Sequence, residues 1–113
     1  MLRRILFAIA IGLAACGGGV GAHSALVGAQ CTRDTQCVHR CLTNDAHYPG
    51  GMCTATCAID ADCPFGSRCV TDFGGICAVS CRVDFDCSGF GRPYLCDNTN
   101  DEGGGTANVC RAP

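Results

Sequence analysis

Twelve cysteines fall within the 83 residues from Cys31 to Pro113, and their spacing limits what this chain can fold into more than any other feature. Such density in a short chain points to a disulfide scaffold. No Cys-x-x-Cys occurs, because the closest cysteines have three residues between them. That spacing argues against zinc knuckles and against the usual dithiol oxidoreductase motif. Large apolar side chains are sparse and tryptophan is absent. Ordering the roughly 80 residues of this region costs on the order of 100 kcal/mol in conformational entropy, which so thin a core recovers only marginally. A disulfide closing a loop of about 25 residues raises the free energy of the denatured state by roughly 3.5 kcal/mol in the chain-entropy model. Cross-links are therefore expected to decide whether the chain folds.

Aligning the cysteines reveals three tandem units, 31–56, 57–80 and 81–113. They open with Cys31-Thr-Arg-Asp34-Thr-Gln36-Cys37, Cys57-Ala-Ile-Asp60-Ala-Asp62-Cys63 and Cys81-Arg-Val-Asp84-Phe-Asp86-Cys87. Each continues to a third cysteine (Cys41, Cys69, Cys96), then to glycines ahead of a fourth (Cys53, Cys77, Cys110). Three residues separate the fourth cysteine of one unit from the first of the next. Two disulfides in each of three independent units allow 27 frameworks, and the short junctions leave cross-unit bonds open. The expected fold is small, disulfide-rich and irregular, built from tandem four-cysteine units with short β hairpins and little helix. Segments between cysteines are too short for stable isolated helices. Residues 68–72 and 75–79 alternate weakly around Phe73-Gly74 and read as a hairpin.

The chain opens with Arg3-Arg4 and then eleven residues, Ile5 to Ala15, without charge. This is the pattern of a signal peptide, and it is too short to span a bilayer, which takes about 20 apolar residues. Leu13-Ala14-Ala15-Cys16, placed where the apolar run stops, resembles the lipobox of bacterial lipoprotein precursors. The resemblance implies a lipoprotein signal peptide over 1–15, diacylglycerol on the Cys16 sulfur, and acylation of the new amino terminus. The protein is then expected to be extracytoplasmic and held at a bacterial outer membrane. The alternative is ordinary cleavage before Ala25, which would release a secreted protein. Residues 16–30 read as lipid anchor and flexible tether, since 17–30 hold five glycines and no charge.

Unit two, with Asp60-Ala-Asp62-Cys63-Pro64-Phe-Gly66-Ser-Arg-Cys69 followed by Gly74-Gly75-Ile76-Cys77, resembles the Dickkopf amino-terminal cysteine-rich region and similar repeats of exported myxobacterial proteins. Unit three keeps the aspartate pair without the Pro-x-Gly, and unit one departs most. The resemblance implies a fold and carries no activity.

Without Arg3 and Arg4, six arginines face ten carboxylates and there is no lysine, giving a formal charge near −4. This argues against a nucleic-acid partner. The paired aspartates raise calcium, but two carboxylates supply only a fraction of the six to eight ligands it takes. Asp34, Asp60 and Asp84 are instead expected to cap tight turns through their own backbone amides. His23, His39 and His47 show no pairing with a serine or free thiol. Neither metal nor cofactor nor catalytic residue is expected. Phe90, between two glycines, and Tyr48 are the candidate exposed binding residues for an unidentified protein partner. Loops 42–52 and 97–109 are where recognition is expected. The leading reading is a noncatalytic, membrane-tethered module that is protein-binding or structural; the alternative is a protease inhibitor using loop 42–52.

Overall fold

The structure is a computed structural model and describes residues 19–113; the signal segment 1–15 and Cys16 lie outside the described residues. Every unit pairs its first cysteine with its third and its second with its fourth. The bonds are Cys31–Cys41 and Cys37–Cys53, Cys57–Cys69 and Cys63–Cys77, and Cys81–Cys96 and Cys87–Cys110. The pairing follows from the hairpin that ends each unit. Strands β1 (Arg40–Leu42) and β2 (Met52–Thr54), β3 (Ser67–Val70) and β4 (Ile76–Val79), and β5 (Leu95–Asn100) and β6 (Thr106–Arg111) form three antiparallel pairs. Their registers set Cys41 opposite Cys53, Cys69 opposite Cys77, and Cys96 opposite Cys110. Residues directly opposed in an antiparallel pair project to one face. Two sulfurs on that face catch the two ends of the Cys-x5-Cys loop, which is wound into a 3-10 segment at Asp34–Gln36, Asp60–Asp62 or Asp84–Phe90.

The glycines before the fourth cysteine have a packing reason. A Cβ at Gly51 or Gly75 would collide with the carbonyl oxygen of the first cysteine of its unit, Cys31 or Cys57. Both glycines also lie at positive φ, 79° and 115°, a region open to glycine at little cost. Unit three has Asn108 at this position and keeps the approach as a hydrogen bond, from the Cys81 N–H to the Asn108 carbonyl at 3.1 Å.

The units do not stand apart. One apolar cluster takes Leu42, Tyr48 and Met52 from unit one, Val70, Ile76 and Ala78 from unit two, and Tyr94, Ala107 and Val109 from unit three. Isolated bridges join Thr56 to Ile76, Val70 to Asp101 and Ser80 to Val109. The chain end then returns to the first unit, where the Ala112 N–H donates to the His47 carbonyl at 2.8 Å. Loop 97–109, expected from sequence to carry recognition, lies within the β5–β6 hairpin, tied to the end of β3 by the bond from the Thr71 N–H to the Asn100 carbonyl.

Residues 19–30 are not a flexible tether. Val27 is wholly buried among the disulfides, with Val20 and Leu26 packed beside it. The Gly28 N–H donates to the Cys53 carbonyl at 2.9 Å and the Cys53 N–H to the Ala29 carbonyl at 2.8 Å, so the leader lies along β2. The glycines that suggested flexibility serve close approach, since a Cβ at Gly28 would strike the Gly21 carbonyl.

Candidate functional site

The recurring acidic motif is framework. Asp34 Oδ1 accepts from the Cys41 N–H at 2.8 Å, Asp60 Oδ1 from Cys69 at 2.8 Å, and Asp84 Oδ1 from Cys96 at 2.9 Å. Each aspartate thus reaches across its unit to the third cysteine, which corrects the expectation of a local cap. Local capping falls to the second polar position. Gln36 Oε1 accepts from the amides of Thr32 and Arg33, Asp62 Oδ2 from those of Ala58 and Ile59, and Asp86 Oδ2 from those of Arg82 and Val83. A side-chain amide oxygen does this as well as a carboxylate, which is why Gln36 stands in for aspartate. The Arg82 and Val83 amides hold the Asp86 carboxyl below its ordinary range. Asp60 also accepts from Arg68 Nε at 2.9 Å, so both of its oxygens are engaged, and Asp62, Asp84 and Asp86 each have one oxygen held by backbone N–H groups.

A second constellation joins the units through side chains. The Tyr48 hydroxyl donates to Asp72 Oδ2 at 2.8 Å, and Arg111 donates to the same oxygen through Nη1 at 2.8 Å and to Asp97 through Nε at 2.7 Å. Burial, reinforced by Asp72, pushes the Tyr48 phenol well above its ordinary value. For Arg111 burial works against the charge, and the Asp97 hydrogen bond with nearby Asp72 outweighs it. Tyr48 therefore cannot be an exposed binding anchor. Loop 42–52 is pinned by Leu42, Tyr48 and Met52, which are buried, and by His47, whose Nδ1 lies 2.7 Å from the Ala112 carbonyl, while Thr43, Asn44, Ala46 and Gly50 are exposed. Sequence reasoning missed this node because residues 48, 72 and 111 belong to no repeated position.

Phe90 is half-buried, packed against the core and stacked on Tyr94 with ring centroids 5.1 Å apart. It lines a cleft of about 480 Å³ with Ala22, His23, Gln30 and Ser88. Among the described residues the exposed large apolar side chains are others, foremost Phe65 and Phe85, with Val38, Ile59, Phe73, Val83 and Leu95. One signal for Phe85 was in the sequence, its place between Asp84 and Asp86 on a 3-10 segment outside the hairpins. His23 and His39 are exposed. The sulfurs of Cys31, Cys37 and Cys41, those of Cys57, Cys63 and Cys77, and those of Cys81, Cys87 and Cys110 form three groups, each within 4.8 Å, but all are in disulfides and offer no thiolate to a metal.

Fold and site together define a small disulfide-rich domain of repeated, disulfide-linked hairpin units. No protein-family model, no curated protein and no solved structure matches the chain.

Proposed function

We propose that this chain is an exported, noncatalytic module, held to the outer membrane by lipid on Cys16 and acting through protein binding or as a structural element. The observation that carries the reading is the set of six disulfides behind a signal-peptide pattern. Structural disulfides persist in oxidising compartments, and the amino-terminal pattern is the means of reaching one. Attachment at Cys16 is favoured over cleavage before Ala25 by what the latter would remove. Gly21 donates to the Val27 carbonyl at 3.0 Å, and Ser24 Oγ accepts from the Leu26 amide at 3.1 Å. A noncatalytic role agrees with the aspartates that sequence reading singled out, Asp34, Asp60, Asp62, Asp84 and Asp86, being spent on holding backbone.

Intact-mass and nonreducing peptide analysis of protein purified from its native host tests the reading. The expected product begins at Cys16, carries the mass of the acyl chains, and gives the six disulfides above. An unlipidated product beginning at Ala25 overturns the anchor.

A further inference from the structure

Phe65 is 100% exposed, an unusual position for so apolar a side chain on a chain short of core material. The scaffold does not demand it. At the equivalent place, two residues after the second cysteine, unit one has His39 and unit three has Gly89. The leader passes all three places, with the Val38 N–H donating to the Ala25 carbonyl beside His39 and Ala22 close to Gly89, but the contact nearest Cys16 in the chain is made with unit two, where Val20 Cγ2 lies 2.9 Å from where a Cβ on Gly66 would be. Gly66 adjoins Phe65. Four residues of chain connect Cys16 to Val20, and an extended chain covers at most about 3.6 Å per residue, so no path separates them by more than about 14 Å.

We propose that Phe65 is a membrane-interface anchor, its ring set into the boundary of headgroups and acyl chains of the bilayer that holds the Cys16 lipid. The proposal rests on Cys16 being lipidated. Phe, Trp and Leu side chains of interfacial segments sit about 5–10 Å into that boundary. Pro64, Gly66 and Ser67 flank Phe65 in the chain without charge, and the Asp60 carboxylate of the same open cleft is paired with Arg68 at 2.9 Å. Lipid on Cys16 fixes one point of the molecule and Phe65 a second, which turns a tether into an orientation. Phe73 lies at the other end of the same hairpin, beyond β3, whose four residues span roughly 10 Å.

Because the chain has no tryptophan, Phe65→Trp and Phe73→Trp each create a single fluorescent reporter at a site already exposed. The lipidated full chain is purified from membranes, reconstituted into phosphatidylcholine vesicles, and compared with vesicles brominated near the carboxyl ends of the acyl chains. The expected result is co-flotation of both variants, with blue-shifted emission that is largely lost to bromine for F65W and water-like, unquenched emission for F73W. Co-flotation with unquenched F65W, or equal quenching of both, overturns the inference and leaves the anchor standing. Failure to float overturns the lipid-anchor reading and the inference with it.

Discussion

Asp60 and Tyr48 show how single side chains do the work that a larger core would do elsewhere. Asp60 satisfies the amide of Cys69, which is completely buried. Asp60→Ala leaves that N–H without a partner, a loss of about 1–3 kcal/mol. Asp62→Asn keeps an acceptor oxygen, as Gln36 does in unit one, and is expected to cost less than about 1 kcal/mol. Denaturant unfolding of the two variants with disulfides intact checks the difference, and equal losses would contradict the assigned roles. Tyr48 sets a pH dependence. Its folded-state pKa is raised by burial, and that of Tyr94 is pushed up to about 12 by burial with Asp45 nearby. The stability tied to the neutral phenols is thus fully present below the ordinary tyrosine value of about 10 and is lost as pH rises beyond it. Unfolding curves across that window are expected to show falling stability, with a shallower fall in Tyr48→Phe. At the acid side the sign reverses. Asp86 has a lowered folded-state pKa, so its contribution is present above about 4 and is lost as pH falls below that value.

The hairpins are the elements that sequence made most legible. Weak alternation and a Phe73-Gly74 turn pointed to residues 68–72 and 75–79, and the strands are Ser67–Val70 and Ile76–Val79. The disulfide-rich class was legible from cysteine spacing, because four cysteines per repeat leave few other uses for them. Pairing was not, since three connectivities per unit satisfy the same spacing until the register of Cys69 against Cys77 is known. The hairpin within loop 97–109 was not legible because Asp101, Glu102 and three glycines break any strand pattern, while Asp101 Oδ1 gathers the amides of Gly103 and Gly105 into a turn. This hairpin supplies Val109 and Ala107 to the common core, so its cross-link has consequences outside unit three. Replacing Cys87 and Cys110 with alanine opens a loop with a sequence separation of 23, expected to cost about 3 kcal/mol. Hydrogen exchange is expected to quicken in β5 and β6 and also at Ile76, while Cys31–Cys41 stays formed. Quickening confined to β5 and β6 would mean that the units are uncoupled.

Taken as a whole, the molecule is one core divided among three disulfide frames. The node of Tyr48, Asp72 and Arg111 draws one side chain from each unit, and the leader closes over the disulfides through Val27. None of this was legible, because the contacts join positions that the repeat does not equate, and because glycine composition is the same for a loose tether as for a close-packed strand. The energetic consequence concerns independence. Unit two alone would expose Val70 and Ile76, both fully buried in the whole chain, and would leave Asp72 without either partner. Exposing two such aliphatic side chains costs about 3–6 kcal/mol, comparable with the stabilisation from one disulfide. Residues 57–80 oxidised in isolation are therefore expected to yield mixed disulfide isomers, whereas residues 19–113 yield one first-to-third, second-to-fourth set. Nonreducing peptide mapping reads both. A single native pairing in the isolated unit would show that cysteine spacing and the local aspartate bonds suffice, and that the shared core is secondary.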